Sequence, residues 1–501
     1  MTIGTVFWLL TILICGVFLI VSWRVRERSS LSFAHYAIGG GSFSILMIFF
    51  TQFASIMGAG NFIGHAGSGY VSGVSWLAFI AGEQGAKLIF ALTLAGFAGA
   101  MHYNTLPELI DDLITRDKVT RILAGVLSTA IMVAWVGGQG KAFGEIFQVF
   151  TGANPIPVIF LFSAIFIVYT CMGGIYSVVY TDLIQGILCL IFGVLFYLFS
   201  FSKVDFSLGV LGERLVAAGR ADLWSFASVD AAALLNRFLT GLTGIIVAQI
   251  YWQRCFACKD RKTARNGLLY SGIIALVMTM LTALVGLIIA TLHQGLDANT
   301  AMPWFMLNCV PPALAAGIFV LILAAGMSSA DSCLNSAAVL AVNDIVRPLF
   351  PRRDDRHLVR DARFMTVLIG VISSVCAIYA SSIISMFSRA YAMAGAGLVP
   401  LLVIGLVWKR EGGAAQRMGV QNSCVTPWAG RCGIVTGAVV SQLPLGENAM
   451  LLGLAASTAV IFLVSLATRN VPTSPSLRSP GYQESGPSET EGAKQHAEKE
   501  A

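Results

Sequence analysis

Apolar runs of roughly 20 residues recur along the whole chain, divided by short polar stretches. In helical form a run of that length crosses the ~30 Å hydrocarbon core of a bilayer. Thirteen such runs can be read, at about 4–23, 43–72, 74–101, 121–150, 156–172, 176–200, 229–252, 266–293, 311–343, 364–381, 383–408, 430–446 and 448–468. The pattern predicts an all-α polytopic membrane protein, with each backbone hydrogen-bonded within its own span. Arg431 interrupts the apolar pattern after residue 410 and leaves the count there open by one.

Two runs are unusual inside. The second carries Ala54, Ser55, Gly58, Ala59, Gly60, Gly64, Gly67 and Gly69. Each glycine weakens a helix by about 1 kcal/mol relative to alanine. The stretch reads either as a broken helix that exposes carbonyls at mid-membrane, or as a close helix–helix contact through small residues. The ninth run contains Ile322–Ser336, where Ser328, Ser329, Asp331 and Ser332 follow Ala324, Ala325 and Gly326. Compact and rich in oxygen, it suits a small, hard, dehydrated cation. Hydroxyl and small residues also hold membrane helices together, and that reading stands beside the first.

Charged residues within the runs are few. Glu83 and Lys87 share a helix face at i, i+4, as do Lys141 and Glu145. Intramembrane charges line a cavity or pair structurally, and for Glu83, Lys87 and Arg389 both remain open. Asp182 reads as an interfacial cap or as a carboxylate on an ion path.

Composition agrees with the pattern. The 501 residues are 56% hydrophobic and only 12% charged, against about 25% charged in a soluble domain. The net charge of +6 does not point to nucleic acid, because the basic residues cluster in alternate short loops. Arg24, Arg26 and Arg28 form one cluster, residues 102–121 another, and Lys259, Arg261, Lys262 and Arg265 a third. This positive-inside alternation puts the N-terminus outside and the C-terminus in the cytoplasm. The seventh run ends in Tyr251-Trp252, with Gln253-Arg254 just beyond it. Cys255 and Cys258 have a CxxC spacing without a second pair, so no metal centre is expected there. No HExxH, nucleotide loop or Ser/His/Asp arrangement is present, and a non-enzyme is expected. Residues 470–501 are rich in Pro, Ser, Glu and Lys and are expected to form a disordered cytoplasmic tail, too short for a signalling domain.

Six stretches together resemble the sodium/solute symporters, which include sodium-coupled sugar, proline, pantothenate and sialic acid transporters. They are Gly39–Gly41; Phe53–Gly64 with Gly67–Tyr70; Gly173-Gly174 with Thr181–Gln185; Gln253-Arg254 with Ala257 and Lys259-Asp260; Ala325–Ser332; and Trp408–Arg410 with Gly413-Ala414. Their order and placement in the topology, rather than any one of them, make the resemblance specific. It implies a leucine-transporter-like fold, in which two five-helix repeats of inverted topology each begin with a broken helix. The repeats would occupy about 42–200 and 229–408 within a core of 31–410. An extra helix at 1–30 would precede it, and two at 411–469 would follow.

The resemblance further implies a sodium site made of the carbonyls of Ala54, Met57 and Ala325 with the hydroxyls of Ser328 and Ser329. A second sodium site would draw on Ser328, Asp182, Asp331 and Ser332, although Asp331 stands where relatives with that site carry serine. Ile56 stands where some proline-type relatives carry aspartate. By position, Asn61, Glu83, Gln139, Trp252 and Ser388 or Arg389 would face the solute. The implied activity is sodium-coupled import of a small organic solute by alternating access in the plasma membrane. An amino acid or small carboxylate is expected, with a sugar, a vitamin and proton coupling as alternatives and a membrane sensor further off.

Overall fold

A computed structural model describes residues 3–98, 103–409 and 423–469. No strand forms among them, and the helices in order are α1 Ile3–Ser29, α2 Phe33–Ile38, α3 Ile45–Ile56, α4 Ala59–Ser72, α5 Leu77–Ala98, α6 Leu106–Ile110, α7 Lys118–Thr151, α8 Pro155–Ser202, α9 Leu208–Ala217 and α10 Ala231–Ile246. There follow α11 Gln249–Phe256, α12 Arg261–Leu292, α13 Ala301–Asn308, α14 Pro312–Leu340, α15 Arg347–Leu349, α16 Asp355–Tyr379, α17 Ile383–Val407, α18 Pro427–Val440 and α19 Ala449–Ala467. The polar connections supply the helix starts: Asp117, Asp230, Asp260 and Asp354 each accept a hydrogen bond from the backbone N–H three residues on. Arg410, Gly413, Ala414 and the expected tail lie outside the described residues.

Ten helices among the described residues are long and apolar enough to cross a membrane. Two of these run through a bend. The stretch Ala59–Gly96 turns at Gly73, and α8, at 48 residues, would reach about 72 Å if straight, more than twice a bilayer core. Gly174 breaks α8 with φ 50° and ψ −147°, a conformation open to glycine but not to a residue with a Cβ. Dividing both and counting the short α18 gives thirteen apolar segments, close to the runs in the sequence. Arg431 does not end the span it interrupts. Its guanidinium grips Asp117 at the start of α7 with two bonds of 2.6 and 2.8 Å.

The second segment is broken between α3 and α4, and the seventh between α10 and α11. In each, a side chain just past the break caps a carbonyl freed by it: Asn61 Nδ2 donates to Ile56 O at 2.6 Å, and Trp252 Nε1 to Ile246 O at 2.8 Å. The two breaks stand at the same place in the two halves expected from the inverted repeat. At the centre runs α14, packed on α3, α7, α8, α11 and α16, with every residue from Leu321 to Asp344 buried.

The charged stretch read from sequence as a cytoplasmic loop over 102–121 is largely packed inside from residue 103 onward. Glu108, Asp111 and Arg121 are buried, and Arg121 lies 2.9 Å from Asp344 at the end of α14 and 3.4 Å from Asp111. A lone arginine cannot be buried cheaply, and three carboxylates within 3.9 Å account for this one. The same stretch reaches the second broken helix. Leu106 N–H donates to Gln249 Oε1, and Gln249 Nε2 to Asn104 O, both at 2.9 Å.

Candidate ion and solute site

The break in the first repeat is built by close approach. The turn from α3 to α4 passes through Met57 and Gly58, and a Cβ on Gly58 would fall 2.8 Å from Ser329 Cβ and 2.9 Å from Gln139 Oε1. Glycine is required there for space, since its φ of −58° suits any residue. Around the break the backbone bonds run from Met57 N to Phe53 O and from Asn61 and Phe62 N to Gly58 O. The carbonyls of Ala54 and Met57 are left out of that ladder. Gln139 Oε1 accepts from Gly60 N at 2.8 Å and so satisfies one of the free N–H groups that open α4.

On α14, Ser329 Oγ shares its proton between Ser55 O at 2.8 Å and Ala325 O at 2.9 Å. Its hydroxyl therefore stands between the broken helix and α14, against Ala325 O, one of the expected carbonyls, and Ser55 O, which was not expected. Ser328, one residue earlier, turns instead to α8 and bonds Asp182, whose other oxygen is bonded by Thr51 of α3. Asp182 is wholly buried in the middle of α8 and does not cap a helix at the interface.

A side chain reaches two of the residues expected around a second cation, Asp182 and Ser332. Arg254, 1% exposed, lies 3.9 Å from Asp182 Oδ2. Its Nη2 donates to Ser332 at 2.7 Å, Thr51 at 3.1 Å and Ser55 at 3.2 Å. From the sequence this arginine belonged just past the seventh span. The structure continues α11 through it, and the absence of any Gly or Pro between Tyr251 and Arg254 was the available signal. Asp331 lies alongside, wholly buried. Thr181 donates to its Oδ2 at 3.4 Å, while its Oδ1 has no hydrogen-bond partner.

A small cavity of about 30 Å³ abuts this cluster. Ser55, Gly58 and Ser329 at the break also line it, as do Asn61, Glu83 and Gln139, three of the expected solute residues. The other expected residues lie elsewhere. Trp252 points away to cap Ile246, and its neighbour Tyr251 takes the place in the wall. Along α17, Phe387 and Tyr391 face the cavity one turn apart. Ser388 and the exposed Arg389, about 100° and 200° further round the helix, do not. Gln52, His65 and Lys87 also line the cavity. Gln52 was missed in the sequence because nothing distinguishes a lone glutamine in an apolar run.

Glu83 and Lys87 do not pair directly. Gln84 stands between them, donating to Glu83 Oε2 at 2.9 Å and accepting from Lys87 Nζ at 2.6 Å. Glu83 also receives Tyr391 Oη at 2.9 Å and lies 3.2 Å from His65 Nε2. Trp76 Nε1 donates to His65 Nδ1 at 3.0 Å, which places the ring proton on Nε2, facing Glu83. Lys141 and Glu145, the other i, i+4 pair, are 3.7 Å apart and partly exposed.

Two broken helices crossing a central helix, with an oxygen cluster and a cavity at the crossing, define a membrane transporter of the inverted-repeat class. A solved sodium-coupled sialic acid symporter, substrate-bound and outward-open, superposes with a TM-score of 0.77 at 19% identity, covering 94% of this chain and 98% of that one. Residues 36–418 match the family model of the sodium:solute symporter family, and the chain belongs to that family. The sodium/sialic acid symporter SiaT of Proteus mirabilis is 25% identical over 57% of this chain, and the match spans 61% of that relative's length. The sodium/pantothenate symporter of Escherichia coli is 25% identical over 79% of this chain and 84% of its own.

Proposed function

We propose that the protein imports a small organic solute across the plasma membrane together with sodium, N-terminus outside and C-terminus in the cytoplasm. One observation carries this reading: Ser329 belongs both to the oxygen cluster and to the cavity wall. An ion bound by Ser329 and the carbonyls of Ala54, Met57 and Ala325 ties α14 to the broken helix, and the same tie shapes the solute's wall. Ser328 joins that shell by leaving Asp182. Ion and solute then favour one arrangement of the same helices, which is the thermodynamic content of coupling.

The solute class is an amino acid or small carboxylate. The cavity is small and carries both charges, and relatives are named for sialic acid and pantothenate, which are carboxylates. The ion count is one. Arg254 fills the place of a second sodium between Asp182 and Ser332, so its guanidinium serves as a resident cation. Asp331 supports a second reading, proton coupling, because its Oδ1 is buried without a donor.

Purified protein in proteoliposomes should accumulate solute under an inward sodium gradient. Equal accumulation with potassium or choline in place of sodium would sink the sodium reading. Uptake driven by a pH gradient without sodium would favour Asp331.

A further inference from the structure

The cavity contains one anion and one cation, and their hydrogen bonding differs. Glu83 accepts from Tyr391, Gln84 and His65, three donors on two oxygens, each fixed by the protein. The assignment is internally determined: Gln84 can satisfy a carboxylate and an ammonium together only with its nitrogen towards Glu83 and its oxygen towards Lys87. Lys87, 3% exposed, makes one hydrogen bond, to Gln84, and stands 5.7 Å from the centre of the Tyr251 ring. An ammonium has three hydrogens to give. The others have no acceptor among the described residues, and both Lys87 and Tyr251 line the cavity.

Neutral polar groups complete the wall. Both side-chain polar atoms of Gln52 and Oδ1 of Asn61 are buried without hydrogen-bond partners. Buried polar atoms of this kind cost about 1–3 kcal/mol each when left unmatched, so they mark where a ligand's polar groups belong. The charge left for a ligand is thus positive and the remaining groups are neutral amides.

We propose that Lys87 binds the anionic group of the solute, and that the solute is a small monocarboxylate whose neutral polar groups meet Gln52 and Asn61. Glu83 is a positioning residue: it holds His65, Gln84 and Tyr391 and, through Gln84, aims Lys87. It is not the receptor for a solute ammonium, which separates a monocarboxylate from a zwitterionic amino acid. The proposal rests on the symport reading and narrows its solute class.

The test uses the full chain in lipid nanodiscs and reads thermal shift. Sodium is compared with choline first, then acetate, propionate, pyruvate, L-lactate, L-alanine, propionamide and D-glucose are each added in sodium. At least one of the four monocarboxylates should stabilise the protein, while propionamide, L-alanine and glucose should not. Lys87→Gln should weaken that carboxylate's binding about a hundredfold, Lys87→Arg should recover part of it, and both should keep the shift given by sodium alone. Undiminished carboxylate binding in Lys87→Gln would overturn the proposal. So would an equal shift by propionamide, L-alanine or glucose, or a sodium shift without any carboxylate shift. Loss of the sodium shift in the unmodified protein would strike the coupling reading itself, a distinguishable failure.

Discussion

Ser328 and Ser329 are neighbours on one helix with different partners. Ser329 is held by one carbonyl beside the break, Ser55 O, and one of its own helix, Ala325 O, whereas Ser328 bonds the Asp182 carboxylate. On the proposed reading Ser329→Ala removes an ion ligand together with the link to Ser55, and such a loss is worth about 1–3 kcal/mol. The sodium concentration for half-maximal uptake should then rise about tenfold or more. An unchanged sodium dependence in this variant would take the hydroxyl out of the ion's shell. At this scale the sequence was informative where chemistry was concentrated and silent where direction mattered. A serine-rich stretch in an apolar helix announces itself, and in the structure it packs against the broken helix. Side-chain direction on a helix turns by about 100° per residue. The aromatic wall was therefore expected at Trp252 and is found at Tyr251, and the expected Ser388 or Arg389 gives way to Phe387 and Tyr391. Arg254 was hidden for a different reason. Basic residues near span ends are ordinarily read as cytoplasmic. Only the tertiary structure brings Asp182, Thr51 and Ser332 around this one.

The broken helix is the element on which the site depends, and its glycine is a matter of clearance. Gly58→Ala places a methyl group 2.8 Å from Ser329 Cβ and 2.9 Å from Gln139 Oε1. Ser329 belongs to the oxygen cluster and Gln139 caps α4, so the substitution pushes α14 and α7 off the break. Sodium-dependent uptake by Gly58→Ala should fall by more than tenfold, because overpacking costs about 1–3 kcal/mol. Expression and detergent-stable folding should persist, since the rest of the bundle is untouched. Uptake close to that of the unmodified protein would show that the break tolerates bulk. Elements were the most legible level of the sequence. The apolar runs, the glycine-rich second span and the bend at Gly174 all follow from local composition. The stretch 102–121 was not legible. Its charges resemble those of a solvated loop, and burial becomes tolerable where Arg121 meets Glu108 and Asp111 nearby and Asp344, far along the chain.

At the scale of the molecule, connections between distant elements define what must move together. Gln249 and Gln253 sit one turn apart on α11. The first bonds the α6 segment, and the second donates to Ala37 O at 2.6 Å and accepts from Ser336 at 2.5 Å. Any separation of α11 from α6 and α14 breaks these bonds. The inverted repeat itself was reachable only through resemblance, because no periodicity in the chain displays it. Arg254 has a consequence at this scale. A guanidinium fixed to the chain lies beside Asp182 and, unlike a bound ion, never crosses the membrane. On the proposed reading, one sodium then accompanies one monocarboxylate, and the moving charges sum to zero. Uptake should be electrically silent: clamping the membrane potential with valinomycin and potassium should leave its rate and final level unchanged, while the sodium gradient sets both. A current that grows with negative potential would require a second sodium or an uncharged solute. Such a carrier would go on feeding a depolarised cell for as long as sodium is kept low inside.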